Sequence, residues 1–393
     1  MAKPYRVQVL NQISAHGLKR LPAELYEIGK DIADPDAILV RSADMHSLTI
    51  ASSVRAIGRA GAGTNNIPVS AMSTRGVPVF NAPGANANAV KELVLAGMLM
   101  AARNLPAALQ FVAGLDASDP NMDSRVEDGK KAFAGFELTG HTLGMIGLGR
   151  IGCLVADAAI RLGMHVIGYD PDITVDAAWS LPAQVRKAHS VAELLKASHF
   201  VSIHVPLVAA TKHLFNAQAL ETMRPGAVLL NFSREGVVDD NALLAALAAE
   251  RLRCYVCDFP GPAIHRHPRA IALPHLGAST REAEDNCAQM VADQIRDYLE
   301  HGNIRNAVNF PDAVAPRESA YRVAIANANV PNMLGQISTA MAQANLNIRN
   351  MLNKSRGEMA YTLVDVDSEV PGAAIESIGR IQGVLSVRYL LAP

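Results

Sequence analysis

The sequence predicts an α/β protein of two doubly wound parallel-sheet domains followed by a βαββαβ block. Three observations carry that reading. Short Val/Ile/Leu runs alternate with Ala-rich helical stretches along most of the chain. They fall into two series, separated by a polar stretch at 114–136. Residues 319–393 then read strand, helix, strand, strand, helix, strand. Alternation of strands with helices favours a parallel sheet covered on both faces.

Composition sets the limits. At roughly 150 residues per domain, 393 residues make two or three domains. With 50% hydrophobic and 19% charged residues, the chain is not disordered for want of a core. Aromatics make up only 5%, so that core should be aliphatic and Ala-rich. Lys and Arg number 36 against 37 Asp and Glu. This balance argues against nucleic acid or an anionic membrane as partner, but leaves room for a local basic pocket. Four cysteines are no disulfide framework. The opening MAKPYRVQVL has no basic segment followed by an apolar run, and the longest apolar run is Leu93–Ala102. A soluble, cytoplasmic protein is expected.

Taken in order, Tyr5–Leu10, Ala37–Val40, Val54–Ile57 and Val77–Phe80 read as strands. Helices are expected near Pro22–Gly29, Ser47–Ser53 and Val69–Arg75. A long helix follows over Ala87–Arg103, then a loop-rich Gly114–Phe136. The second series has strands at His141–Ile146, His165–Tyr169, Phe200–Val205, Val228–Asn231, Cys254–Cys257 and Ala270–Leu273. Gly, Pro, Asn and Asp mark the turns at their ends, and such a series suits a nucleotide-binding sheet. One amphipathic helix spans Arg281–Gly302, its charges Arg281, Glu282, Glu284 and Asp285 reading as a solvated face. Asn309–Pro311 and Pro316 break the chain. Strands Tyr321–Ala326, Asn347–Asn353, Glu358–Val366 and Val384–Leu391, with helices Met333–Ala344 and Ala373–Ile381, make a ferredoxin-like pattern, complete enough to be a separate domain.

The stretch Thr142–Gly152 holds G-x-G-x-x-G between an apolar run and a helical one. Gly147 would permit the tight turn, Gly149 the approach of a pyrophosphate, and Gly152 close helix–strand packing. Arg150 and Ile151 open the helix whose unpaired N–H groups would face the anion. Asp170 closes the next strand, where its carboxylate can accept from ribose hydroxyls and repel a 2′-phosphate. NAD is therefore expected over NADP.

Ligands of open α/β sheets bind beyond the carboxyl ends of the strands. Those ends carry His204-Val205-Pro206, then Asn231-Phe232-Ser233-Arg234, then Asp258, then Pro274-His275. An Arg fork suits a substrate carboxylate, and a His suits proton transfer to or from a hydroxyl.

These motifs, with GAGTNNI at 61–67, NAP at 81–83, MRPG at 223–226, NFSREGVVD at 231–239 and PHLGAST at 274–280, resemble the D-isomer-specific 2-hydroxyacid dehydrogenases over nearly the whole length. The linker AVNFP at 307–311 and the βαββαβ tail resemble the phosphoglycerate dehydrogenase branch, whose tail is an ACT domain. The resemblance implies a substrate-binding domain at 1–88 and 281–310, a Rossmann-type NAD-binding domain at 89–280, and an ACT domain at 319–393. It implies Arg234 as substrate-binding Arg, His275 as acid/base, and Asp258 at the nicotinamide end of the cofactor. His204, Val205, Pro206, Phe232, Ser233 and Gly277 would complete the cofactor contacts. In one place the chain departs from the family, which carries a Glu paired with its catalytic His where Ala263 stands here. Glu282 is the nearest replacement in sequence terms.

The implied substrate is 3-phosphoglycerate, oxidised with NAD to 3-phosphohydroxypyruvate in the first step of serine biosynthesis. Arg41 and Ser42 resemble the pair that holds its phosphate. Asn86 resembles a further substrate contact, and Arg59 and Lys91 would add positive charge. In the tail, Asn327, Asn329 and Asn347 resemble the positions that bind an amino-acid effector, serine in the regulated enzymes. A homo-oligomer, dimer or tetramer, is expected. Cys254 and Cys257 point to opposite faces of one strand and cannot share a metal, so no metal is expected. Two rivals stay open: a hydroxypyruvate or glyoxylate reductase, and an NAD-sensing binding protein with little turnover.

Overall fold

The computed structural model describes residues 3–392. They form two compact units, residues 3–86 with 281–392, and Ala87–Thr280.

In the first unit β1 (Tyr5–Val9), β2 (Tyr26–Gly29), β3 (Ala37–Val40), β4 (Ala56–Arg59) and β5 (Val79–Phe80) form a parallel sheet of order β2-β1-β3-β4-β5. All four residues of β3 are buried, because both faces are covered. Leu39 joins Val7, Ala56, Val291 and Ile295 on one face; Ile38 and Val40 join Met45, Ile57 and Met72 on the other. The long helix Arg281–His301 supplies Val291 and Ile295. A Cβ on Gly58 would stand 2.5 Å from the Val291 side chain, so this glycine lets the helix approach β4.

Two expected helices are corrected here. Pro22–Gly29 yields the edge strand β2, where pairing to β1 in the register Tyr5↔Tyr26 outweighs local helical preference. Ser47–Ser53 forms turns instead of a helix. Conversely, the stretch read as loop-rich contains a helix, Met122–Gly129, with no buried residue and hence no apolar stripe to betray it.

The second unit contains β6 (Thr142–Ile146), β7 (His165–Tyr169), β8 (Arg186–Lys187), β9 (Phe200–Ile203), β10 (Ala227–Asn231), β11 (Leu252–Cys257) and β12 (Ala270–Ala272), ordered β12-β11-β10-β9-β6-β7-β8. All pairs are parallel. The strand order reverses between β6 and β9, the switch point at which such sheets bind dinucleotides. Helix Ala87–Arg103 packs Val90, Val94 and Met98 onto one face. Cys254 lies in that core and Cys257 in the core of the opposite face.

The C-terminal sheet, β13 (Tyr321–Ala328), β14 (Ile348–Arg356), β15 (Met359–Val366) and β16 (Val384–Leu391), is antiparallel with order β14-β15-β13-β16. Helices Met333–Gln343 and Gly372–Gly379 cover one face through Ile337, Met341 and Ile378. The other face places Ala324, Tyr361, Leu363 and Leu390 in the same core as Tyr298 and Phe310. The Arg388 guanidinium donates to the carbonyls of Tyr298 and Leu299 at 3.0 and 2.8 Å, satisfying the last turn of helix Arg281–His301. Among the described residues, no single helix is long and apolar enough to cross a membrane.

Candidate active site

Strand β6 runs into the glycine loop. Gly147 has φ +92°, and a Cβ there would lie 2.5 Å from the carbonyl oxygen of His204. A Cβ on Gly152 would meet the Gly147 carbonyl oxygen at 2.3 Å. At Gly149, by contrast, nothing lies within 4 Å of the Cβ position. Gly149 caps helix Arg150–Arg161, and Arg150 and Ile151 form its first turn. An open glycine on a helix N-terminus is a cradle that fits a pyrophosphate.

Asp170 accepts the backbone N–H of Leu148 at 2.8 Å through one carboxylate oxygen and that of Asp172 at 3.0 Å through the other. It thus holds the glycine loop, and its remaining lone pairs are available to ribose hydroxyls. Beside the loop, His204 donates its backbone N–H to Ile146, and its Nε2 lies 2.8 Å from Ser202 Oγ. Burial pushes the imidazole down to about 4, so it stands neutral there. Val205 is half-buried and Pro206 exposed at the same strand end.

After β10, the buried Asn231 organises the chain. Its amide donates to the Arg234 carbonyl at 2.9 Å, and its oxygen accepts from Ser233 N–H at 3.1 Å and Oγ at 2.8 Å. Phe232 turns into the core, while Arg234 is exposed. After β11, Asp258 is 1% exposed. One of its oxygens accepts from Gly277 N–H at 3.3 Å and the other has no hydrogen-bond partner among the described residues. Burial raises its carboxyl above the usual range, and the charges of His275 and Arg234 oppose that rise. The three groups are therefore electrostatic neighbours. The His275 ring lies against Phe259, centroids 4.3 Å apart, and makes no ion pair with a carboxylate among the described residues. Asp258 is thus a carboxyl group in the electrostatic neighbourhood of His275. Glu282, in the first turn of helix Arg281–His301, is exposed.

In the first unit, Arg41 and Ser42 follow β3 and Asn11 follows β1, on either side of the switch point of that sheet. Asn11 Oδ1 accepts the Arg41 backbone N–H at 2.8 Å, and its amide donates to Ser42 Oγ at 2.9 Å. The Arg41 guanidinium is 2.6 Å from Glu284, whose sequence context alone reads as a solvated face. Arg59 ends β4, and its charge and that of Arg41 both act on the buried Cys287. Asn86 is half-buried. Lys91, in the second unit, donates to Asn88 at 2.6 Å and faces Glu92 at 3.8 Å.

In the tail, Asn327 and Asn329 border a cavity of about 230 Å³ with Asn332, Met333 and Asn353. Asn347 is not among its lining residues and meets Asp367 through its backbone instead. Sequence reading missed Asn353 and Asn332, which carry no motif and enter only because β14 and a helix N-cap fold beside Asn327. It also missed Asn11 and the structural part played by Asn231. Polar residues after apolar runs were the available signal for both.

Residues 95–277 match the family model described as D-isomer specific 2-hydroxyacid dehydrogenase, NAD binding domain. The D-3-phosphoglycerate dehydrogenase of Escherichia coli strain K12 is 32% identical over 359 residues, 87% of this chain and 83% of that protein. That of Methanocaldococcus jannaschii is 37% identical over 295 residues, 73% of this chain; the chain spans 54% of that relative's length. Among solved structures, the TT0316 protein of Thermus thermophilus superposes with a TM-score of 0.61 at 26% identity, over 77% of this chain and 99% of the other. The chain belongs to the D-isomer specific 2-hydroxyacid dehydrogenase family, with NAD as its cofactor.

Proposed function

We propose that this chain oxidises 3-phospho-D-glycerate to 3-phosphohydroxypyruvate with NAD, the entry step of serine biosynthesis. The observation that supports the reading most is the electrostatic grouping of Arg234, Asp258 and His275 beyond the carboxyl ends of β10 to β12. NAD, when bound, supplies the hydride acceptor. Gly147, Gly149 and Gly152 cradle its pyrophosphate and Asp170 selects its unphosphorylated ribose. Arg234 holds the substrate carboxylate and polarises the C2 oxygen. His275 takes the C2 hydroxyl proton and returns it in the reverse direction. Asp258 places a carboxylate beside His275, in place of the one missing at Ala263. Arg41 and Ser42, helped by Arg59 and Asn86, hold the phosphate.

The tail is assigned as an ACT-type regulatory domain whose Asn-lined cavity takes an amino acid such as serine. The protein is assigned as a cytoplasmic homo-oligomer. Its four cysteines are buried free thiols, as suits a reducing compartment.

NADH production from 3-phosphoglycerate, compared with D-glycerate, tests the reading. Turnover that prefers the phosphorylated acid and disappears in His275→Ala is expected. Equal use of both acids would favour a hydroxypyruvate or glyoxylate reductase. A wild-type rate no better than that of His275→Ala would favour an NAD-sensing protein.

A further inference from the structure

We propose that Glu284 is a specificity-determining residue: its carboxylate sits on the anion-binding face of Arg41, and the substrate's phosphate binds by displacing it. The inference rests on the functional reading above and deepens it, by naming what the phosphate must replace.

The geometry is contained in the first unit. Ligands of doubly wound sheets bind where neighbouring strands send their connections to opposite sides. In the order β2-β1-β3-β4-β5 that point lies between β1 and β3. Arg41, Ser42 and Asn11 stand there, and Asn11 ties the other two together by hydrogen bonds at 2.8 and 2.9 Å. This is an organised polar site, not a set of loose surface side chains. What the guanidinium holds is a carboxylate, Glu284 at 2.6 Å, from 243 residues further along the chain. A carboxylate and a phosphate use the same Arg donors, so Glu284 stands where a phosphate oxygen would stand. Its helical neighbours are otherwise engaged or turned out: Asp285 accepts from Ser14 Oγ, and Glu282 is exposed.

The pair is open to exchange. The Arg41 and Glu284 side chains are 35% and 41% exposed. Ion pairs this exposed are weak. A phosphate dianion brings more charge and three acceptor oxygens, and can take the guanidinium from a lone carboxylate. A substrate ending in a neutral hydroxymethyl group has nothing to exchange and leaves the pair closed. Glu284 thereby keeps Arg41 oriented and neutralised until a dianion arrives.

The test is steady-state kinetics of wild type, Glu284→Gln, Arg41→Ala and the double variant, with 3-phosphoglycerate and with D-glycerate. In Glu284→Gln the KM for 3-phosphoglycerate should fall about two- to fivefold, the range for losing a competing exposed ion pair, while kcat stays unchanged. In the Arg41→Ala background the same change should have no effect, because Glu284 acts only through Arg41. A KM unmoved by Glu284→Gln in an enzyme that does prefer 3-phosphoglycerate overturns the role of Glu284 and leaves the functional reading standing. Parallel shifts with both substrates also overturn it, showing Glu284 to be merely structural. Wild-type protein without preference for the phosphorylated acid overturns the functional reading and this inference together.

Discussion

Leu148 and Asp170 are joined by a hydrogen bond of 2.8 Å, from the backbone N–H of one to the carboxylate of the other. The residue that would select the ribose therefore also fixes the loop that would carry the pyrophosphate. Asp170→Ala should raise the KM for NAD by about tenfold or more, since it removes a charge-assisted bond as well as a ribose contact. Asp170→Asn keeps an oxygen for Leu148 but loses the charge. It should recover part of the NAD affinity and improve the use of NADP. Kinetics with both dinucleotides check this.

Gly147→Ala should fail on two counts. The residue has φ +92°, and its Cβ would meet the His204 carbonyl at 2.5 Å. We expect a loss of about 1–3 kcal/mol in stability and weaker NADH binding. Trp179 is the sole tryptophan and is 85% exposed, so energy transfer from it to NADH gives a direct binding signal.

His204 shapes the acid limb of stability. Burial lowers its pKa from 6.5 to about 4. Between those values the unfolded chain binds a proton that the folded chain does not, so stability falls as pH drops through that window. A shift of that size corresponds to about 3 kcal/mol. His204→Gln should shift the acid-unfolding midpoint to lower pH, measured by circular dichroism.

Asp258 acts in the opposite sense. Its pKa is raised above 3.8, so its contribution is most favourable at low pH and is lost as pH rises through the raised value. Asp258→Asn should therefore raise Tm near neutrality and leave it nearly unchanged in acid. It should also lower kcat, because His275 loses the carboxylate beside it. A kcat equal to wild type would remove Asp258 from the proposed chemistry.

Arg322 is fully buried and bonded to Asp365 at 2.6 and 2.8 Å and to the carbonyls of His301, Ala315 and Pro316. Arg322→Ala leaves Asp365 buried and unpaired, a change that costs about 3–5 kcal/mol. A substantial drop in Tm is expected.

The glycine loop and the rim residues His204, Arg234, Asp258 and His275 could be placed from sequence because they come just after short apolar strands, where order along the chain mirrors order in space. Helix Ala87–Arg103 was readable to the residue from its apolar spacing. Strand β2 was not, since among the described residues its only ladder partner is β1 and its four residues hold little apolar pattern. Nor was β8, two exposed residues long. The pairing of Arg41 with Glu284 was out of reach for another reason. Each charge looked solvated in its own neighbourhood, and only the docking of helix Arg281–His301 on β4 brings the two together.

The C-terminal sheet has no spare face. Helices cover one side, and Tyr361, Leu363 and Leu390 on the other complete the core around Tyr298 and Phe310. A shortened chain ending before Tyr321 would bare that slab of apolar surface and strip Arg388 from the end of helix Arg281–His301. The tail is therefore no detachable accessory that can be cropped or exchanged with a relative's at will. Any graft has to bring the matching helix with it, so the two segments should change in step wherever this architecture is diversified.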